Sequence, residues 1–419
     1  MIKMFYKRRE EYNEVIIPYQ GEGITVRPQE LAGMGGNEAV AYAAKQANVD
    51  VVAAYPITPQ TIMVERFSEY VANGEVDTEF VCVESEHSAM SACVGASVTG
   101  ARVMTSTASQ GLALMHEVLY VASSLRCPIV MMVANRALSA PINIHGDHSD
   151  MMGSRDCGWI QIYVENPQEA YDWTLQALKI AEDPEISLPA SVNLDGFTVS
   201  HAMEDLNLLS DGQVKEFLPP RKPVFKVEPE KPSTVGAFAM PDYYYEVKRL
   251  QEEAMRKVPE VLVKVAKEYE KTSQRKYGII ETFSMDDAET AILCMGSTAG
   301  TVRSVVRQLR EKGRKVGAVK LWLYRPFPSE ELTSVICNLK ALAVIDRAMS
   351  FGAPYGPLCS DVASILQDCK SKPKIFNAMC GLGGRDISSD DIRIMFDEAD
   401  QIARTGVVRD RIEFVGVRE

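Results

Sequence analysis

Five short apolar runs, at 51–54, 79–83, 101–105, 128–133 and 189–194, punctuate the first half of this chain, with helical stretches between them. Few folds accept that alternation. Parallel strands need crossovers long enough for a helix, so the pattern predicts an α/β domain built on a doubly wound parallel sheet. Such sheets place ligands outside the carboxyl ends of their strands. Three loops leave those ends carrying residues with chemistry: Thr58 after the first run, Glu86 after the second and Arg136 after the fourth. They are expected to converge on one edge.

The first loop reads Tyr55-Pro56-Ile57-Thr58-Pro59-Gln60-Thr61. Each proline fixes its own φ and biases its predecessor away from helix, which holds Thr58 still. On composition alone, an ordinary turn between strand and helix explains it equally well. Glu86 opens a helix of unusually small residues, 87–99, whose backbone another helix can approach closely, within the chain or across a subunit boundary. Glu84 lies on the same strand face and competes with Glu86 for any role; a helix-start carboxylate without chemistry is the plain alternative. Upstream, Asn37 is a good N-cap for the Ala-rich helix that follows it.

At 419 residues, two domains are expected. Residues 1–34 read as a polar extension and 35–209 as the first domain. Residues 210–285 hold an ordered linker, marked over 210–241 by six prolines from 219 to 241, and then a charged helix over 243–271 that Pro259 should kink or split. A smaller α/β unit spans 286–405 and a tail 406–419. In it, Gly381-Leu382-Gly383-Gly384 is either a glycine-rich turn or a phosphate approach, and Tyr324–Pro328 a stiff turn. The stretch 136–163 reads as a long irregular loop bordering a site. Its His145, Asp147, His148 and Asp150 raise a metal alternative that their spacing does not favour.

A formal net charge of −12 opposes nonspecific nucleic-acid binding. No run reaches the roughly 20 apolar residues a membrane span needs, and the amino terminus lacks the apolar core of a signal peptide. The nine cysteines are scattered without a C-x-x-C pair. They read as reduced, packed thiols carrying neither zinc nor an iron–sulfur cluster, and the chain as soluble and cytoplasmic.

The Thr58 loop, Val83-Glu84-Ser85-Glu86-His87-Ser88-Ala89, and Ala134-Asn135-Arg136-Ala137-Leu138-Ser139-Ala140-Pro141 followed by Gly146-Asp147-His148-Ser149-Asp150 together resemble the α subunit of pyruvate:ferredoxin oxidoreductase, in the 2-oxoacid:ferredoxin oxidoreductase family. The resemblance runs from about Asn37 to about Thr405. It implies a thiamine pyrimidine-binding first domain and a second domain like the C-terminal domain of transketolase. It also implies thiamine diphosphate as cofactor, with Glu86 holding a neutral carboxyl against N1′ of its ring. Burial favours the neutral form of such a group; a helix amino terminus opposes it. Arg136 would bind the substrate carboxylate, and Thr58 would donate near the substrate carbonyl or the reactive centre of the cofactor. No Gly-Asp-Gly occurs in the chain, so the diphosphate, its Mg²⁺ and the [4Fe-4S] clusters are expected on partners. Those are a β subunit, γ and ferredoxin-like δ subunits, and ferredoxin itself, with pyruvate and CoA as substrates. Related enzymes for 2-oxoisovalerate or oxalate, and a non-catalytic scaffold, are the alternatives.

Overall fold

The computed structural model describes residues 29–418. The first domain comprises β1 (Glu30–Met34), α1 (Gly36–Gln46), β2 (Val51–Ala54), α2 (Thr61–Ala72), β3 (Glu79–Cys82), α3 (Glu86–Val98), β4 (Val103–Thr107), α4 (Ser109–Ser124), β5 (Val130–Asn135), α5 (Ser149–Gly153), β6 (Ile160–Val164), α6 (Pro167–Ala181), β7 (Ala190–Asp195) and β8 (Glu204–Leu208). Its parallel sheet runs β3-β2-β4-β5-β7-β6. Every residue of β5 is buried, because alternate side chains enter different cores. Val130, Met132 and Ala134 pack with α1 and α6, while Met131 and Val133 pack with Met90, Cys93 and Leu112 of α3 and α4. A continuous apolar run is what a strand covered on both faces needs.

After α7 (Asp211–Phe217) and α8 (Pro241–Ser273) come β9 (Ile280–Phe283), β10 (Thr290–Met295), α9 (Thr298–Glu311), β11 (Val316–Leu321), β12 (Leu323–Arg325), α10 (Ser329–Ile336), β13 (Ala341–Asp346), α11 (Pro357–Ile365), β14 (Lys374–Met379), α12 (Ser389–Thr405) and β15 (Ile412–Phe414). The second sheet runs β15-β14-β13-β10-β11-β9, parallel except for β9. Among the described residues no helix is long and apolar enough to cross a membrane.

Several expectations meet a different structure. Glu30–Met34, placed in an extension, pairs antiparallel with β8; residues 1–28 lie outside the described chain. Ile412–Phe414, placed in a tail, completes the second sheet beside β14. Pro259 does not split α8. Proline in a helix interior costs ~3 kcal/mol, and burial of Val258, Leu262, Val265 and Tyr269 in the first-domain core offsets it. The stretch 136–163 is not irregular throughout, since it contains α5 and β6. The Tyr324 turn begins inside β12, which pairs with β6 and so adds a strand from beyond the linker to the first sheet. Cys337 and Cys369 form a disulfide, with Cα atoms 5.4 Å apart, so the expectation of nine reduced thiols fails for this pair. The other seven cysteines are free.

Candidate active site

The Thr58 loop is clamped from two sides. Buried Gln60 donates through Nε2 to Ser106 O (2.9 Å) and Ser106 Oγ (2.6 Å), and its Oε1 accepts from Ile57 N (3.1 Å). Asn37 Nδ2 donates to Pro59 O (2.8 Å). Asn37 is therefore not the N-cap. The cap is Gly35, and α1 begins at Gly36, whose N–H donates to Val199 O (3.0 Å). A Cβ on Gly36 would stand 2.5 Å from that carbonyl, so only glycine fits and Asn37 is left free to hold the loop.

Arg136 meets this loop directly. Its Nη1 donates to Thr58 O and its Nε to Asn143 O, both at 2.9 Å. The guanidinium belongs to a residue only 7% exposed, yet among the described residues no carboxylate pairs with it. Both partners are neutral carbonyls. A buried cation without a counter-ion is costly, and Nη2 remains available to an incoming anion. Thr58 is exposed, and its hydroxyl bonds no other described residue.

Asp150 organises the backbone beneath. Its carboxylate accepts from Ser109 N, Asn135 Nδ2 and Arg136 N, each at 2.9 Å, and from Met151 N at 2.7 Å. It thereby ties the start of α4 to the end of β5. Burial pushes its carboxyl up to about 6, against the opposing pull of those donors. Ser109 Oγ adds a bond to Ala137 O (2.6 Å).

Glu86 lies across the same helix start. Ser85 caps α3, its Oγ accepting from Ser88 N, so Glu86 is the first helical residue. Glu84 is exposed and bonds Ser88 Oγ, whereas Glu86 is 6% exposed and no described residue hydrogen-bonds its carboxyl. Burial thus separates the two rivals. A Cβ on Gly111, in the first turn of α4, would lie 2.6 Å from both Glu86 Oε1 and Thr107 Oγ1. Thr107 Oγ1 is itself buried and unpartnered. Two polar groups therefore converge over a glycine without satisfying one another. Thr58, Arg136 and Glu86 all leave the carboxyl edge of one sheet, joined through Ser106, Asp150 and the start of α4.

The loop after Arg136 bridges to the second domain. Asp195, at the end of β7, accepts from Arg347 Nη1 (2.6 Å), Ser297 N (2.8 Å) and Ser297 Oγ, and its Oδ1 lies 2.7 Å from His148 Nε2. Burial pushes its carboxyl up, but Arg347 and His148 outweigh that and hold it well below the usual range. Asn143 Nδ2 donates to Gly383 O, and Gly383 N to Asp147 Oδ2, both at 3.0 Å. The glycine turn serves close approach of chains: a Cβ on Gly384 (φ +76°) would fall 2.3 Å from that of His145. Asp147, His148 and Asp150 are thus engaged in holding loops and domains, and His145 stacks on Phe197. Among the described residues no group of three His, Cys, Asp or Glu side chains is placed to hold a metal. Gln60, Asp150, Asp195 and Arg347 went unread as site-builders. The only hint was the density of polar residues around Gly146–Asp150.

Two family models match the chain. One, described as "Pyruvate flavodoxin/ferredoxin oxidoreductase, thiamine diP-bdg", covers residues 42–267, and "Pyruvate:ferredoxin oxidoreductase core domain II" covers residues 288–392. Pyruvate synthase subunit PorA of Thermotoga maritima is 49% identical over 394 residues, 94% of this chain and 100% of that one. Its namesake in Methanocaldococcus jannaschii is 47% identical over 89% of this chain and 95% of its own. The ketoisovalerate oxidoreductase subunit VorA of Pyrococcus abyssi is 43% identical over 91% and 96%. Among solved structures, a 2-oxoglutarate:ferredoxin oxidoreductase from Magnetococcus marinus superposes with a TM-score of 0.71 at 20% identity, over 88% of this chain and 65% of that one. A split-gene transketolase gives 0.52 at 11%, over 89% and 100%. These two likenesses speak to fold alone: an α/β architecture like that of those two proteins. With a family model over more than half of its length and relatives near half identical along almost all of it, the chain belongs to the PorA family of pyruvate:ferredoxin oxidoreductase alpha subunits, within the 2-oxoacid:ferredoxin oxidoreductases.

Proposed function

We propose that this chain is the alpha subunit of a cytoplasmic, thiamine diphosphate-dependent pyruvate synthase. With its partners it converts pyruvate, CoA and oxidised ferredoxin reversibly to acetyl-CoA, CO₂ and reduced ferredoxin. The observation that carries this reading is Glu86: a residue only 6% exposed at the mouth of a parallel sheet, whose carboxyl has no hydrogen-bond partner among the described residues. An unpaired buried carboxyl normally costs stability; a ring nitrogen arriving with the cofactor would supply the missing bond. Thiamine diphosphate, when bound, supplies the electron sink that no side chain offers.

The chain's own residues then have separate tasks. Glu86 holds a proton toward N1′ of the aminopyrimidine, with Thr107 Oγ1 beside it as a further hydrogen-bonding group. Arg136 takes the carboxylate of the 2-oxo acid through its free Nη2 edge. Thr58 donates toward the keto oxygen from a loop that Gln60, Asn37 and Arg136 keep still. The first domain acts as the pyrimidine-binding half and the second as a transketolase C-terminal-like unit. The β subunit brings the diphosphate and Mg²⁺ half, and γ and ferredoxin-like δ chains complete the electron path through their [4Fe-4S] clusters. The absence of Gly-Asp-Gly and the scattered cysteines support that division.

The test is Glu86→Gln in the purified complex. Turnover is expected to fall by roughly 10²–10⁴-fold, the span of a lost acid–base group, with subunit composition unchanged. Normal turnover would remove Glu86 from the role. A related enzyme for a branched 2-oxo acid is a second reading, because identity to the ketoisovalerate subunit is close to that of the pyruvate subunits. Relative rates on pyruvate, 2-oxoisovalerate and oxalate decide between them.

A further inference from the structure

One carboxylate oxygen stands between the two halves of the candidate site. Oδ2 of Asp150 accepts from Ser109 N and from Arg136 N, each at 2.9 Å. The bond from Arg136 N holds the backbone from which the guanidinium reaches Thr58 O and Asn143 O. The bond from Ser109 N holds the turn 107–111, in which Gly111 lies against Glu86: a Cβ there would stand 2.6 Å from Glu86 Oε1. The short helix α5 grips the Arg136 loop a second time, since Leu138 N donates to Ser149 Oγ (3.0 Å). It is itself seated on the second domain, His148 N donating to Arg347 O (2.8 Å). Two features of this link are unfavourable taken alone. Ser109 has φ +47°, a left-handed conformation that a residue with a side chain keeps only where its surroundings over-determine it. Asp150 is 3% exposed, yet its four donors are all neutral, Asn135 Nδ2 (2.9 Å) and Met151 N (2.7 Å) taking Oδ1. An asparagine in its place has one acceptor oxygen and turns N–H groups on the remaining pair of donors, so only a carboxylate receives all four.

Resting on the functional reading above, we propose that Asp150 is a positioning residue for the reaction: through the shared Oδ2 it sets Arg136, and with it the bound 2-oxo acid, in register with the turn that lies against Glu86. Asp150 is turned to the backbone and meets neither substrate nor cofactor in this scheme; its effect on the substrate is made through Arg136. The bond from Ser109 Oγ to Ala137 O (2.6 Å) ties the same two segments beside it. A strained serine and a buried charge without a counter-ion thus meet at the one place where the start of α4 and the end of β5 must keep a fixed spacing.

The test is the steady-state kinetics of the full complex carrying Asp150→Ala, in the parent and in the Arg136→Lys background. Asp150→Ala strands both N–H groups and is expected to raise KM for the 2-oxo acid about tenfold, as a small misplacement of a binding group does. KM for CoA should stay within about twofold, the scatter between independent sites. Asp150→Asn keeps one acceptor oxygen and should restore part of the loss. In the Arg136→Lys background Asp150→Ala should add less than about twofold to KM, because the group it positions is already gone. A purely structural role gives another pattern: less active complex and a lower kcat per mole of chain, with KM unmoved. An unchanged KM in Asp150→Ala, or the same factor in both backgrounds, overturns the proposal. If Asp150→Ala does not assemble, Ser109→Ala decides, since it keeps the Ser109 N–H and removes only the Oγ bonds to Ala137 O and Gln110 Oε1. A KM raised about twofold or more in the parent background alone supports the proposal; no rise overturns it. The functional reading fails separately. If Arg136→Lys itself leaves KM where it was, the carboxylate role of Arg136 falls and this inference with it. A raised KM in Arg136→Lys beside an unchanged one in Asp150→Ala removes Asp150 alone.

Discussion

Two buried carboxylates at the carboxyl edge of the first sheet have opposite surroundings. Asp195 is 1% exposed and accepts from Arg347 and twice from Ser297, with His148 against its other oxygen. Glu86 is 6% exposed and has no described partner. Burial is nearly the same; satisfaction is not. A fully paired buried charge fixes geometry, here the seat of one domain on the other, and has no valence left for a ligand. A buried polar group without a partner is a cost that a fold sustains where a ligand can meet it. Arg136 belongs with Glu86 in this respect, since among the described residues its side chain meets only two neutral carbonyls.

The contrast is breakable by substitution. Glu86→Gln should cost roughly 10²–10⁴ in turnover of the complex and leave the thermal midpoint of the chain within a few degrees, because no internal bond is lost. Asp195→Ala should do the reverse in kind. Removing one partner of a buried ion pair costs ~3–5 kcal/mol, here by stranding Arg347 between domains. Limited proteolysis should then cut between residues 274 and 290 far faster than in the parent chain. A stable Asp195→Ala chain, or an unstable Glu86→Gln chain, would erase the distinction.

Two smaller changes sharpen it. Arg136→Lys keeps the charge but loses the fork that serves Thr58 O and Asn143 O and is proposed to take an incoming carboxylate as well. KM for the 2-oxo acid should rise by about 10–100-fold, the worth of one charge-assisted bond. Gly111→Ala tests the gap between Glu86 and Thr107. The added methyl would stand 2.6 Å from both oxygens, an overpacking that costs ~1–3 kcal/mol, and activity should fall with it as Glu86 is displaced.

What could be read beforehand follows from range. Strands such as Val51–Ala54 declare themselves by local apolarity, and the rule that ligands gather at strand carboxyl ends is enough to bring Thr58 and Arg136 to one edge. Glu86 was legible as a helix start, but its burial depends on Gly111, a contact made across a strand and a loop. The role of Asp150 was illegible because three of its four partners are backbone N–H groups, which carry no sequence signature. The same holds for Asp195, whose partners come from residues 148, 297 and 347, and for β12, three residues long and visible only through its pairing with β6. The Cys337–Cys369 bridge joins α10 to the turn after α11, elements whose proximity only the tertiary fold supplies. Pro259 misled for a related reason: local propensity counts against it, and the core that pays for it is assembled from distant residues.

The smallest expected effect concerns acid. Asp195 titrates below its unfolded value of about 3.9, so in that range the unfolded chain binds more protons than the native one. Its contribution to stability is present above about pH 4 and lost as the pH falls further. Asp150 and Asp346 have the opposite sign. Burial pushes both up to about 6, Asp346 against bonds from Leu358 N, Cys359 N and Asn377 Nδ2. Between about 4 and 6 the native chain therefore holds protons that the unfolded chain has released, and their contribution is present at low pH and lost as the pH rises through about 6. The thermal midpoint of the isolated chain should accordingly rise slightly from pH 6 towards pH 4 and drop below it. Asp195→Asn should flatten the drop while leaving the rise in place. A midpoint that falls steadily from pH 6 downward, in the parent and in Asp195→Asn alike, would mean that the satisfied carboxylate between the domains is not what separates the two regions.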